Sequence, residues 1–389
     1  MSSRFSRRTY WPPATNAISK AVEARQRTGL PIIDLTETNP TRVGLPPLAD
    51  DLLAALSSST VRTYAPEPFG MAAARAAVSA YHSHAVSPEH ICLTASTSEA
   101  YTWLFKLLCE PGDRVLVPAP SYPLFEFLAQ LESVEIATYP TRSWDDWSID
   151  FEGLENSVDD RTRAVLLVSP NNPTGAMLHA TDLPRLADLC ERRGLALIAD
   201  EVFADFAERR ADRIATLAGF DRVLTFVLSG LSKVCLLPQL KVGWIAVSGP
   251  VAERDEALRR LELVADSFLS VNTPAQTLVG PLLARRDEVQ EPLRKRIRTN
   301  RLVLQRCLEG TSATLLPADG GWNAVLRVPR DWSEEEWVLA LLEQEAVLVH
   351  PGFFFDFAED HYLVVSLIPD EVTFARAAQL LVKRFSDRG

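Results

Sequence analysis

Three stretches with a shared layout decide the fold. Residues 164–175 read AVLLVSPNNPTG, residues 195–203 read LALIADEVF, and residues 223–233 read VLTFVLSGLSK. Each begins with a short apolar run rich in branched side chains and ends in polar residues. Between the first two, residues 181–193 carry apolar side chains at helical spacing. Apolar runs that alternate with amphipathic helices are typical of buried parallel strands, so this region predicts an α/β unit.

Further runs of the same kind extend this unit in both directions. They lie at 90–94, 114–117, 134–138 and 242–247, and residues 98–109 form another amphipathic stretch. Seven runs in all alternate with helical patterns. The sequence therefore predicts a large domain with a seven-stranded, mostly parallel sheet covered by helices.

The pattern changes after about residue 250. Residues 251–308 read as long, charged helices, broken near 272–274 and at Pro292. Beyond them we expect strands at 315–327, 347–349 and 362–367 and helices at 333–343 and 374–385. This predicts a smaller α+β C-terminal domain over 285–389, a large domain over 46–284, and an N-terminal segment, 1–45, that is an arm and part of the small domain.

Composition excludes several classes of protein. The chain has 389 residues, 47% of them hydrophobic, and its 40 basic against 51 acidic residues give a net charge of −11, which argues against a nucleic-acid partner. Five cysteines without a C-x-x-C pair indicate reduced thiols and a cytoplasmic location. Dispersed histidines predict no metal site. No apolar run is long enough to span a membrane, and the opening MSSRFSRRTYWPP does not look like a secretory signal.

Polar residues of distinctive kinds follow four of the runs. Residues 94–99 (TASTSE) open a helix with hydroxyl and backbone N–H groups that could bind a phosphate, although Ser and Thr also cap helices without any ligand. Residues 171–173 (NNP) hold two amides in a rigid turn. Asp200 places a carboxylate after an apolar strand, where it needs a cation or a donor unless it caps a helix. Residues 229–233 end in Lys233.

The use of lysine in this chain distinguishes the last of these segments, residues 229–233. The chain contains 34 arginines and only six lysines, at positions 20, 106, 233, 241, 295 and 383. Arginine stays protonated in proteins, whereas a partly buried lysine can lose its proton and form an imine. We therefore expect Lys233 to carry chemistry, while the lysines in charge-rich helical stretches read as solvated surface.

The ordered set of motifs resembles the fold type I pyridoxal phosphate (PLP) enzymes of the class I/II aminotransferase family. The likeness runs from Tyr64 to Ser366 and rests on their order rather than on any one motif. It implies that Lys233 forms the internal aldimine with PLP and moves the proton during catalysis. It also implies that Asp200 pairs with the pyridine nitrogen and keeps it protonated.

Other site residues also follow from the resemblance. Asn172 would donate to the ring 3-oxygen, and Tyr122, in PSYP, would stack on the ring and assist catalysis. Ser96 and Thr97 match the phosphate cradle. Tyr64, in YAPEPFG, matches a tyrosine that reaches the phosphate of a neighbouring subunit, which implies a homodimer.

The chain departs from the family at several of these positions. Lys241 stands where the family has an arginine, and Ser229 is only a possible substitute for the family's serine, which aligns with Gly230. Phe203 replaces a tyrosine that donates to the ring oxygen. Val364 replaces the arginine that holds the substrate carboxylate.

The missing arginine leaves the substrate contact open. Asn39 and Arg42, in NPTR at 39–42, lie in a segment that borders the active site in relatives, so Arg42 could hold the carboxylate; the alternative is surface charge. The predicted function is a PLP-dependent aminotransferase that moves an amino group from an amino acid or amine to an oxo acid. A lyase, cyclase or oxidase of the same fold is the alternative, and a non-catalytic PLP-binding regulator is a minor one.

Overall fold

A computed structural model describes residues 4–11, 16–46, 50–57, 59–208 and 210–386. In chain order the strands are β1 Ile33–Asp34, β2 Ile91–Thr94, β3 Arg114–Ala119, β4 Glu135–Arg142, β5 Ser148–Ile149, β6 Thr162–Val168, β7 Ala196–Asp200, β8 Thr225–Gly230, β9 Gly243–Ser248, β10 Thr314–Leu315, β11 Asn323–Arg327, β12 Val347–Leu348, β13 His350–Pro351 and β14 Tyr362–Ser366. The helices are α1 Ala17–Arg27, α2 Asp50–Ala54, α3 Ala72–Tyr81, α4 Thr97–Leu108, α5 Leu124–Leu131, α6 Phe151–Ser157, α7 Asp182–Arg193, α8 Leu231–Val234, α9 Val251–Phe268, α10 Thr273–Ala284, α11 Asp287–Leu308, α12 Glu334–Ala340 and α13 Glu371–Ser386.

The large sheet has the strand order β2-β9-β8-β7-β6-β3-β4-β5. The pairs from β8 through β7, β6 and β3 to β4 are parallel, whereas β9 runs antiparallel to both of its neighbours. All seven predicted runs are strands, so the expected mostly parallel sheet is confirmed. The two-residue strand β5, antiparallel to β4, is an addition, because its Ser-Ile pair carries no hydropathy signal.

Helices cover both faces of this sheet, as the continuous apolar runs predict. On one face the core includes Val78 of α3 and Leu278 of α10. On the other it includes Leu104 of α4 and Leu261 of α9. Apart from β4, which is largely exposed or half-buried, the strands are therefore mostly buried, and their ends reach the clefts where ligands bind in such sheets.

The C-terminal unit is built on an antiparallel sheet in the order β10-β11-β14-β13. The N-terminal segment joins it: β1 pairs in parallel with β12, and Ile18 of α1 and Leu35 lie in the same apolar core as Phe374 of α13. This confirms the smaller α+β unit. The predicted domain boundaries at residues 45 and 284 stay predictions.

Two expectations for the second half of the chain are wrong. The helix break expected at Pro292 falls instead at 285–286, and Pro292 lies inside α11. Gln290 and Leu293 are buried on either side of the proline, and this packing outweighs the backbone hydrogen bond that proline cannot make. The single strand expected at 315–327 is two strands, β10 and β11, separated by a turn.

That turn brings the C-terminal unit against the large sheet. A Cβ on Gly320 would lie 2.6 Å from the carbonyl oxygen of Phe206, so only glycine fits there. Gly175, which ends the NNPTG turn with φ +73°, approaches the Gly320 carbonyl just as closely, and Asp319 N donates to Gly175 O at 3.0 Å. The NNPTG turn and the start of β11 are therefore held side by side.

Candidate active site

The pairing of the strands places the segments that follow β2, β7 and β8 next to one another. Gly243, at the start of β9, lies opposite both Thr94, at the end of β2, and Gly230, at the end of β8. Asp200, at the end of β7, lies opposite Leu228 on β8. The start of α4, the carboxylate and the lysine-bearing helix α8 thus share one edge of the sheet.

Gly243 lets the start of α4 approach this edge closely. A Cβ on Gly243 would lie 3.0 Å from the carbonyl carbon of Ser96 and 3.1 Å from Thr97 N. Ser96 is the N-cap of α4, and its hydroxyl accepts from Glu99 N at 3.2 Å. The Glu99 carboxylate accepts from Ala95 N and from the Ser270 hydroxyl, each at 2.6 Å. The predicted phosphate turn is therefore a capped helix start, built tightly onto β9.

Asp200 is buried, and its carboxylate is held by neutral donors. The Tyr101 hydroxyl donates to Oδ2 at 2.6 Å, and Val202 N donates to Oδ1 at 3.1 Å. Within the described part of the chain, no Lys, Arg or His cation lies within 4.0 Å of it. Burial raises the pKa of Asp200, which the two hydrogen bonds and the charge of Lys233 oppose. A cationic donor bound beside this carboxylate would therefore be strongly stabilised.

The sequence predicts only an amphipathic stretch at 98–109, which contains Tyr101, and gives no sign of this contact. Tyr101 is buried on α4 and its ring packs edge-on against Phe125 at 5.1 Å between centroids. A buried phenol usually finds a polar partner, and that rule was the available signal. It could not say which partner, because Asp200 is far away in the sequence.

Lys233 lies in α8 with its amine enclosed by aromatic rings. Nζ is 4.5 Å from the centroid of the Trp322 ring and 5.5 Å from that of Phe203. Phe203 and Phe206 both pack edge-on against Trp322. Burial lowers the pKa of Lys233 to about 8, against the opposing charge of Asp200. An amine in this state is a nucleophile near neutral pH.

Trp322 also escaped prediction from the sequence, where only the glycines before it stand out. Its side chain is buried, and its indole Nε1 has no hydrogen-bond partner among the described residues. The residue after it, Asn323, donates from Nδ2 to Asn172 Oδ1 at 2.7 Å. Asn172 is thus linked directly to β11, while Asn171 instead stabilises its own turn by accepting from Thr174.

Four other predicted cofactor residues lie at varying distances from this centre. Tyr122 is 44% exposed and packs edge-on against Phe125, which contacts Tyr101. The Ser229 hydroxyl is buried at the end of β8, beside the phenol of Tyr81. Lys241 is exposed, with φ +53°. Tyr64 is 81% exposed and lines a separate cleft with residues 269–272.

The predicted substrate residues divide in the same way. Val364 is fully buried in β14, opposite Val325 and in one apolar cluster with Phe355. The Arg42 side chain is 73% exposed and 3.9 Å from the Glu37 carboxylate. Asn39 caps its own turn by accepting from Thr41 N at 3.0 Å.

The segment that carries Arg42 is nevertheless anchored at the aromatic enclosure. Val43, the next residue, packs in one cluster with Phe203 and Trp322. The Arg296 guanidinium donates to the Val43 carbonyl at 2.6 Å and to Ile368 O at 3.2 Å. Arg42 therefore lies at the rim of the enclosure.

These groups have a clear chemical complement. The amine of Lys233 fits a carbonyl carbon, Asp200 fits a protonated ring nitrogen, and the start of α4 fits an anion. The buried indole N–H and carboxylate are polar groups that a bound molecule would satisfy. Among the described residues, no cluster of His, Cys, Asp or Glu could hold a metal ion, and no helix is long and apolar enough to cross a membrane.

Comparison with known proteins agrees with this layout. The model of the family described as aminotransferase class I and II matches residues 31–377. Alanine aminotransferase of Mycobacterium tuberculosis (strain ATCC 25618 / H37Rv) is 28% identical over 290 residues, which cover 72% of this chain and 67% of that protein.

Two further likenesses are informative. The S-alkyl-thiohydroximate lyase SUR1 of Arabidopsis thaliana is 29% identical over 247 residues, which cover 61% of this chain and 53% of that protein. The solved structure of alanine aminotransferase from Pyrococcus furiosus matches with a TM-score of 0.87 at 24% identity. It covers 99% of this chain and 100% of that one, which shows a shared fold.

Proposed function

The chain belongs to the class I and II aminotransferase family and is a transaminase, and from this premise we propose that its coenzyme is pyridoxal phosphate, bound through Lys233. One observation carries the proposal: the enclosed amine of Lys233 and the buried carboxylate of Asp200 lie at the same edge of the sheet. Among the described residues, this carboxylate forms no ion pair. Bound PLP supplies an electron sink for negative charge at the substrate carbon.

Lys233 would act twice. Its pKa of about 8 leaves about a tenth of the amine unprotonated at pH 7, against less than about 0.1% at the ordinary lysine pKa. The unprotonated Nζ would bind the coenzyme through its aldehyde group. When free, the same Nζ would accept a proton from the substrate carbon and pass it to the coenzyme.

Asp200 would accept a hydrogen bond from the pyridine nitrogen and keep that nitrogen protonated. Tyr101 positions it by donating to Oδ2. Because the carboxylate is buried and its hydrogen-bond donors in the described part of the chain are neutral, a cationic ring nitrogen would stabilise its charged form. Asn172 would donate to the ring 3-oxygen and Tyr122 would cover one face of the ring, whereas Phe203 offers that oxygen no donor.

The phosphate would lie at the start of α4. The helix dipole and the hydroxyls of Ser96 and Thr97 favour an anion there. Ser229, and Lys241 in place of an arginine, would complete the cradle from the other side of β9. Tyr64 would come from a second copy of the chain, and its high exposure in one copy supports a homodimer.

The substrate would be a neutral α-amino acid such as alanine, with an oxo acid as the acceptor. The name of the mycobacterial relative suggests alanine. The Val364 side chain cannot bind a carboxylate, so Arg42 at the rim, beside Asn39, is our candidate for that contact. We propose a cytoplasmic location, because all five cysteines are free thiols.

A single-turnover experiment tests transamination directly. The holoenzyme is mixed with alanine and no oxo acid, and pyruvate, ammonia and the mass of the released coenzyme are measured. A transaminase gives at most one equivalent of pyruvate and a coenzyme that has gained the amino group. The lyase alternative is tested in the same way with an S-alkyl cysteine, whose alkylthiolate can leave from Cβ. Continuing release of thiol, pyruvate and ammonia without an acceptor would overturn transamination in favour of a lyase, the activity that the likeness to SUR1 suggests as second candidate.

A further inference from the structure

We infer that Asn323 is a positioning residue for this reaction, because it fixes the side-chain amide of Asn172. The inference rests on the proposed binding of PLP. Its basis is the hydrogen bond from Asn323 Nδ2 to Asn172 Oδ1, 2.7 Å long, which joins residues 151 positions apart. Asn323 begins β11 of the C-terminal unit, whereas Asn172 belongs to the turn after β6 of the large sheet.

The hydrogen bond determines which atom of Asn172 remains available. An asparagine amide has one acceptor oxygen and one donor nitrogen, and the torsion that exchanges them is soft. Asn323 occupies the oxygen, so the nitrogen points elsewhere. No protein acceptor for Asn172 Nδ2 is found in the described part of the chain, which leaves this N–H free to donate to the ring oxygen of the coenzyme.

This orientation matters more here because Phe203 has no hydrogen-bonding group. A ring oxygen with two donors would tolerate the loss of one, but here Asn172 is the single donor that we assign. Val364 on β14, which is paired with Val325 on β11, has no polar side-chain group and so offers Asn172 no hydrogen bond either. The orientation of Asn172 thus depends on Asn323.

The position of Asn323 is itself well fixed. It lies opposite Ser366 in the β11–β14 pairing, and the neighbouring Trp322 is buried and accepts from Leu367 N through its carbonyl at 2.7 Å. A side chain on so rigid a strand end can hold its partner with little conformational cost. The C-terminal unit therefore contributes to the electronic state of a coenzyme that the large sheet binds.

The expected consequence is a change in how tightly the Lys233 nitrogen holds its proton in the holoenzyme. A donor to the ring oxygen draws negative charge away from that proton, so losing the donor raises the pKa of the nitrogen. We expect Asn323→Ala to raise this pKa by about one unit, the size typical of a lost hydrogen bond to a charged group.

The test is a pH titration of the visible absorption band of the holoenzyme. Asn323→Leu preserves the branched shape of the side chain without a hydrogen-bond donor, so it should act like Asn323→Ala, while Ser366→Ala, at the paired position, should leave the pKa unchanged. In an Asn172→Ala background, Asn323→Ala should add no further shift, since its effect passes through Asn172. Thermal unfolding of each apoenzyme checks that the variants fold.

The possible results distinguish a failure of this inference from a failure of the proposed function. A pKa that stays at the wild-type value in Asn323→Leu would show that the contact is packing alone and would overturn the inference. An equal shift with and without Asn172 would overturn it too. A wild-type protein with no coenzyme band after incubation with PLP would instead refute the proposed function, on which the inference rests.

Discussion

The two walls of the cleft differ in how closely they follow the family pattern. The sheet wall, formed by Ser96, Thr97, Asp200 and Lys233, keeps the expected residue types at the expected strand exits. The C-terminal wall, formed by Trp322, Asn323 and Val364, puts an indole, an amide and an isopropyl group where the substrate is expected. Under the proposed function, the residues assigned to the coenzyme keep the family's residue types, whereas the residues on the substrate side differ from them.

The largest effect should come from the sheet wall. Lys233→Met removes both the attacking amine and the proton carrier, so we expect kcat to fall by at least about a thousandfold. Steady-state kinetics with alanine measure it. Lys106→Ala, which removes only an amine that pairs with Glu132 away from the enclosure, is the control and should retain activity. A loss of less than tenfold in Lys233→Met would place the essential amine elsewhere.

The same variant should stabilise the apoenzyme at neutral pH. The folded-state pKa of Lys233, about 8, lies below its unfolded value, so burying the charged amine costs stability at pH 7. That cost disappears as pH rises from about 8 to 10, where the unfolded state still holds the proton. We expect Lys233→Met to gain about 3 kcal/mol at pH 7 and less at pH 9.5.

Urea unfolding of the apoenzyme at the two pH values measures this difference. Lys106→Ala again serves as the matched control, because its amine is not enclosed by the aromatic rings. A gain in Lys233→Met that is the same at both pH values would mean that the amine is not charged in the cleft at pH 7.

A smaller effect tests how the substrate carboxylate is bound. If Arg42 holds the substrate carboxylate, Arg42→Ala should raise the KM for alanine about tenfold or more, since a charge-assisted contact is worth this much. Glutamate and aspartate should be poor donors for the wild type. Arg193→Ala, an exposed arginine at the end of α7, is the control. Efficient glutamate turnover, unchanged in Arg42→Ala, would contradict both statements.

The smallest expected effect is at Phe203, which contacts residues of both walls. Phe203→Tyr adds a hydroxyl to a ring that packs on Trp322 and lies near Lys233. By donating to the ring oxygen of the coenzyme, this hydroxyl should lower the pKa of the Lys233 nitrogen in the holoenzyme by up to about one unit. Phe206→Tyr, the matched change in another ring that packs on Trp322, should not change the pKa of the Lys233 nitrogen. An unchanged or raised value in Phe203→Tyr would show that position 203 does not face the oxygen.

The sequence is a good guide to the sheet wall for a physical reason. Strand exits such as Asp200 and Lys233 follow directly from apolar runs, and parallel pairing brings those exits to one edge without further information. The position after an apolar strand, together with the scarcity of lysine in an arginine-rich chain, distinguishes Lys233 from the other five lysines. The break misplaced at Pro292 shows the limit of local rules, because tertiary packing there overrides helix propensity.

The C-terminal wall was harder to predict because its contacts are long-range. The Asn172–Asn323 hydrogen bond joins residues 151 positions apart, and nothing local in the sequence names such a partner. The same limit applies to one contact of the sheet wall, the Tyr101–Asp200 hydrogen bond, which joins residues 99 positions apart. Trp322 lies in a segment whose pattern predicts only a strand. The resemblance pointed to the absence of an arginine at 364 but not to the side chains that surround the gap.

The most direct test of the central claim is to locate the residue that binds the coenzyme. Holoenzyme reconstituted with PLP is reduced with borohydride, digested, and its peptides mapped by mass spectrometry. We predict one pyridoxyl group per chain, on Lys233. A pyridoxyl group on Lys241 or Lys106 in place of Lys233, in protein that retains activity before reduction, would contradict it.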